Sequence, residues 1–190
     1  MKPRRGGRIR RPGGSIRRSA LLTGVAVVLL AFVAVGVLTA GGSARPATPK
    51  PARPFALSRL GDPGKRVALR ADAGRPVIIN FFASWCAPCR KETPLLAGFY
   101  RSHHGRILII GVDANDKSSA ALAFLRAHAV GYPVGYDPSA AVAVSYGVAA
   151  LPQTFFLNAR HQIVRHILGA VTARDLNSWA ASLARQSGAS

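Results

Sequence analysis

Residues 77–94 read VIINFFASWCAPCRKETP and contain both cysteines of the 190-residue chain. The first six positions are β-branched or aromatic around a single Asn80. Bounded by Gly74 and Ala83, they read as a buried strand. The second half has helical spacing, with Pro88 in a first turn where its missing N–H costs nothing. Cys86 therefore sits where a strand ends and a helix begins. Unpaired N–H groups and a partial positive charge favour a thiolate there. Cys89 falls one turn further in, beneath Cys86, giving an outer attacking sulfur and an inner resolving one. A disulfide between them closes almost no loop, so a stabilising staple is a poor account of the pair and redox chemistry a better one.

Working outward, the pattern continues as β-α-β-α. APCRKETPLLAGFYRSHH carries Leu95, Leu96, Phe99 and Tyr100 on one helical face, RILIIGVDA (106–114) is a second buried strand, and KSSAALAFLRAHA (117–129) a second helix with a Ser or Asp cap. Such units favour right-handed crossovers between parallel strands. Downstream, SAAVAVSYGV (139–148) reads as a short helix. QTFFLN (153–158) and QIVRHIL (162–168) read as an antiparallel hairpin, and TARDLNSWAASLARQ (172–186) as a closing amphipathic helix. Two short strands around a turn at Gly61–Gly64 precede them. The fold class expected is α/β: a mixed sheet flanked by helices on both faces.

The formal charge of +19 is unevenly distributed. Residues 1–19 hold eight Lys/Arg and no acid, whereas from residue 45 onward eighteen Lys/Arg are scattered against seven Asp/Glu. No basic stripe with interleaved aromatics or nucleic-acid reading motif accompanies them, which argues against a nucleic-acid binder and for an Arg-rich solvated surface. Between Arg18 and Arg45 no charge occurs, and residues 20–40 are almost wholly apolar, long enough to cross a bilayer core. They read as an anchor, with a long signal segment cleaved near GGSA as the alternative. The basic excess before the span places residues 1–19 in the cytoplasm. Residues 41–54 are a Pro/Gly/Ala-rich tether, and residues 55–186 a single extracytoplasmic domain at the cell membrane.

Metal and haem fit poorly. Cys-X-X-Cys is half a tetrahedral zinc site, and His103 and His104 are adjacent rather than suitably spaced. A c-type haem site would require His where Arg90 stands.

The stretch from Val77 to Pro94 closely resembles the membrane-tethered TlpA/ResA-like branch of the thioredoxin superfamily, and the resemblance runs from about Phe55 to Arg185. It implies a thioredoxin-like fold whose active-site helix is kinked at Pro94. A second match, GVAALPQTFFLN (147–158), implies that Pro152 is the family's cis-proline and that Leu151 pairs its backbone with an extended substrate. Trp85 and Pro88 join these as substrate-facing residues. Cytoplasmic thioredoxins carry a buried Asp where this chain has Asn80, and Gln153 stands where Thr is more usual. Glu92 matches an acid that ResA-like proteins place near the cysteines; the other reading of Glu92 is an acid complementing the helix dipole.

The function these residues imply is extracytoplasmic thiol–disulfide exchange, with Cys86, Cys89 and Glu92 as the catalytic set. No metal or cofactor is expected beyond the Cys86–Cys89 couple. Partners would be proteins bearing disulfides or thiols and a membrane electron donor such as a thiol-reducing transmembrane protein. The resemblance favours a reductant, with the haem-attachment cysteines of apocytochrome c as a candidate substrate. A disulfide-forming oxidase and a non-redox tethered scaffold are the alternatives.

Overall fold

The computed structural model describes residues 49–72, 74–103 and 105–187. The expected basic tail, the apolar span at 20–40 and the tether as far as residue 48 lie outside the described residues. Among the described residues no helix is long and apolar enough to cross a membrane.

Eight strands form one mixed sheet: β1 (Lys50–Pro51), β2 (Ala56–Arg59), β3 (Asp62–Ala68), β4 (Val77–Phe82), β5 (Leu108–Ala114), β6 (Val134–Asp137), β7 (Gln153–Leu157) and β8 (Gln162–Leu168). Their order across the sheet is β1-β8-β7-β4-β5-β6-β2-β3. The centre is parallel from β4 through β5 to β6, while β7 runs antiparallel to β4 and to β8. Among the described residues, four α-helices flank the sheet: α1 (Ala87–Ser102), α2 (Ser118–Ala127), α3 (Ala141–Ser145) and α4 (Ala173–Ser187).

Alternation along β4 builds two cores. Ile78 and Phe82 face a cluster with Leu96 and Phe99 of α1, Phe124 of α2, and Leu176 and Trp179 of α4. Val77, Ile79 and Phe81 face the other side, with Ile110, Val112, Phe155, Leu157 and Ala143 of α3. All six residues of β4 are buried. At about 1.5–3 kcal/mol for each large apolar side chain, this strand is the axis on which both layers rest.

Three local expectations change. Lys50–Pro51, at the end of the proposed tether, pairs with Ile163 and Gln162 as an edge strand. β6 was not foreseen: VGYD is short and carries Gly135, whose missing Cβ leaves room for the Leu57 side chain of β2. The first turn of α2 has no side-chain cap; Lys117 occupies the cap position.

The central sheet also buries Asp113 of β5 completely, and neither of its carboxyl oxygens has a hydrogen-bond partner among the described residues. Burial first, then the neighbouring Asp116 and Asp137, pushes its pKa up to about 8. The unfolded chain releases this proton near the ordinary carboxyl value of 3.8, the folded chain only near 8. The proton's stabilising contribution is therefore complete below the lower value and is lost as pH rises toward the higher one. Asp113→Asn should flatten this decline, so that its melting temperature gains on the wild type between pH 5 and pH 8. Parallel melting curves across that range would refute the assignment.

Candidate active site

The end of β4 delivers the chain to α1 through Ala83–Trp85, and Cys86 takes the N-cap position with extended backbone (φ −78°, ψ 110°). Its Sγ accepts the Cys89 N–H at 3.2 Å, so the sulfur occupies the place a capping oxygen usually fills. Cys86 and Cys89 form a disulfide, with Cα atoms 5.3 Å apart. Cys89 is fully buried and Cys86 is 5 % exposed. Cys86 keeps slightly more surface than Cys89, and it is more covered than the sequence suggested. The exposed surface around it is supplied by Trp85, Ala87 and Pro88. Pro94 lies inside α1, and the Thr93 hydroxyl donates to the Cys89 carbonyl at 2.7 Å in the turn before it.

On the same helix, Glu92 is not in the first turn and is not solvated, so the helix-dipole reading does not describe it. It is 2 % exposed. Its Oε1 accepts the Asn80 amide at 2.8 Å, and its Oε2 accepts the Val171 N–H at 2.7 Å. Asn80 also donates to the Thr154 hydroxyl at 3.0 Å. One carboxyl group thus links α1, β4, β7 and the loop leading to α4. Burial raises the Glu92 pKa to about 6 against the lowering effect of the Val171 and Asn80 hydrogen bonds. Near neutral pH it is an anion inside the protein on the cysteine helix.

Two loops frame the cysteines. After β5, Asp116 accepts the Ser84 N–H and the Asn115 carbonyl accepts the Trp85 indole N–H at 2.9 Å. The chain just before Cys86 is thereby gripped at two successive residues. The indole ring itself is 56 % exposed. Before β7, the Leu151–Pro152 bond is cis. Trp85, Asn115, Ala140, Val148 and Leu151 line a cleft of about 170 Å³ between these loops.

The structure thus brings Trp85, Ala114 and Leu151 to one cleft and places Cys86, Cys89 and Pro88 at the start of one helix. Sequence reasoning missed Asn115 and Asp116, whose backbone-directed roles have no motif. It also missed Thr154 and Val171, which meet Glu92 and Asn80 only once β7 lies beside β4. Gln153 was noticed as a departure, but its buried position was not.

Chemically, a disulfide at a helix N-terminus beside an exposed indole and a cis-proline loop is equipped for exchange with another disulfide or dithiol. Comparison with known proteins agrees. Residues 49–167 match the AhpC/TSA family. The chain is 30 % identical over 166 residues to the thiol-disulfide oxidoreductase ResA of Bacillus subtilis, covering 86 % of this chain and 92 % of that protein. It is 32 % identical over 154 residues to the thiol:disulfide interchange protein DsbE of Allochromatium vinosum, covering 80 % and 83 %. Among solved structures, a DsbF homologue from Corynebacterium diphtheriae superposes with a TM-score of 0.67 at 26 % identity, over 75 % of this chain and 95 % of that one. Sequence, fold and cysteine geometry together make this chain a member of the AhpC/TSA family and, within it, a ResA/DsbE-like thiol–disulfide oxidoreductase with a thioredoxin-like fold.

Proposed function

We propose that this oxidoreductase works as a reductant of protein disulfides outside the cytoplasm, tethered by residues 20–40, with Cys86 as nucleophile and Cys89 as resolving thiol. The observation that carries the assignment of roles is the Cys89 N–H donated to the Cys86 sulfur at the helix N-terminus, with Cys89 itself fully buried. In the reduced protein, Cys86 thiolate attacks one sulfur of a substrate disulfide. That S–S bond breaks, a mixed disulfide forms, and the second substrate sulfur leaves as a thiolate. Cys89 then attacks the Cys86 sulfur, releasing the other substrate thiol and closing the Cys86–Cys89 bond. Two electrons have passed to the substrate, and a membrane dithiol donor would return them. Trp85, Pro88, Leu151 and Pro152 form the surface against which the substrate lies. No metal or organic cofactor enters these steps.

Apocytochrome c cysteines remain the candidate substrate, supported by the resemblance to ResA-like proteins. The extracytoplasmic setting is supported by the apolar span and by a 26 % identical structural relative from Corynebacterium glutamicum described as secreted.

Glu92 acts on the thiols through its charge. Ionised above about pH 6, it disfavours a second negative charge at the cysteines and restrains thiolate formation. Glu92→Gln removes that charge while keeping the group's size. Alkylation of reduced Cys86 by iodoacetamide at pH 7 should then accelerate by roughly three- to tenfold. An unchanged rate would assign Glu92 a purely structural role.

The order of attack makes a second prediction. Cys89→Ser should accumulate mixed disulfides with partner proteins on non-reducing gels, because the releasing nucleophile is gone. Cys86→Ser should accumulate few, because Cys89 has no exposed surface. Equal trapping by both variants would refute the assigned roles.

A further inference from the structure

The backbone around the cis-proline is held at two points, leaving one residue unpaired between them. On one side, the Ala150 carbonyl accepts the Gln153 side-chain amide at 3.0 Å. On the other, the Pro152 carbonyl accepts the Gly169 N–H at 2.9 Å. Between them, the N–H and C=O of Leu151 find no protein partner among the described residues. Antiparallel strand addition uses the N–H and C=O of one residue as a pair.

Gln153 is 5 % exposed, and its orientation is itself fixed. Its amide nitrogen is committed to Ala150, so its Oε1 is the acceptor in the 2.9 Å contact with His166 Nε2. His166 must therefore carry a proton on Nε2, which both the neutral tautomer and the imidazolium can supply. The imidazole is also stacked on Phe155, with centroids 3.9 Å apart and planes 11° apart. A chain of two hydrogen bonds thus runs from β8 through the first residue of β7 to the loop that precedes the cis-proline.

Peptide planarity gives this chain a consequence. The Ala150 carbonyl and the Leu151 N–H belong to one planar trans unit and point in opposite directions. Drawing the carbonyl toward the buried Gln153 turns the Leu151 N–H away from it, toward the cleft that Leu151 lines with Trp85. We propose that Gln153, braced by His166, is a positioning residue that aims the Leu151 N–H at the backbone of a protein substrate. The inference rests on the reading of Leu151 as the substrate-pairing residue. It adds a division of labour: the cysteines determine reactivity toward any disulfide, while Gln153 determines affinity only for substrates with a backbone to pair.

That division supplies the test. The full chain is assayed, as wild type and as Gln153→Leu and Gln153→Glu, with insulin and with the small disulfide 5,5′-dithiobis(2-nitrobenzoate). Leu removes both bonds; Glu keeps size and acceptor but, when ionised, cannot donate to Ala150. Loss of one neutral hydrogen bond should raise KM for insulin by roughly five- to tenfold in both variants. Neither kcat for insulin nor the rate with the small disulfide should change by more than about twofold, a spread smaller than one such bond accounts for. His166→Leu should give a smaller KM increase in the same direction. A wild-type KM for insulin in either Gln153 variant would overturn the proposal. So would equal losses on both substrates, since a general disturbance of the site would produce them. A wild-type chain inert toward insulin would instead overturn the reductase reading beneath it.

Discussion

A carboxyl group buried on the cysteine helix is the constraint around which the rest of the site is arranged. Glu92 is ionised near neutral pH, and an unpaired anion in that position would be costly. The fold accommodates it with two donors, the Asn80 amide from β4 and the Val171 N–H from the loop before α4. Those donors are far apart in sequence and meet only because α1 and α4 pack on the same face of the sheet. Asn80 suits this role because its amide can donate, whereas an ionised Asp there would place two carboxylates against each other. Asn at this position is thus electrostatically compatible with Glu92 where the Asp of cytoplasmic thioredoxins would not be.

On the proposed reading, two opposing fields act on the cysteines: the N-terminus of α1 and the Cys89 N–H favour negative charge on Cys86, and the buried Glu92 anion would oppose it. Stabilising the thiolate stabilises the reduced form and makes a dithiol–disulfide couple more oxidising; opposing it makes the couple more reducing. A buried anion on the helix that carries an otherwise thiolate-favouring cap is the physical ground of the proposal that this protein works on the reducing side of exchange chemistry. Two loops hold the surroundings of the cysteines. The Asn115–Asp116 loop grips the chain before Cys86, with the Asp116 carboxylate on the Ser84 N–H, and Leu151 of the loop before β7 lines the cleft with Trp85.

The β4–α1 unit was legible because its signals are local: an apolar run, a proline in the first turn, and two cysteines three residues apart. The hairpin of β7 and β8 was legible for the same reason, as was the amphipathic pattern of α4. What escaped depends on pairing. VGYD gives no strand signal alone, and Gly135 makes sense only with Leu57 of β2 lying over it. Thr154 reads as an ordinary strand residue until the register sets it opposite Asn80. Asp113 reads as a strand-end acid in the sequence, yet β5 is buried along its whole length and carries it inside. Gln153 was visible as an unusual residue after the cis-proline, but its partner His166 lies on another strand, joined to it only by the pairing of β7 with β8.

The most direct measurement of the central claim is the reduction potential of the Cys86–Cys89 couple, obtained by equilibrating the full chain with defined glutathione or dithiothreitol buffers. The opposition between the helix N-terminus and Glu92 predicts a potential below about −200 mV, toward the thioredoxin value of about −270 mV. A potential near −120 mV, that of a strong disulfide-forming oxidant, would contradict it.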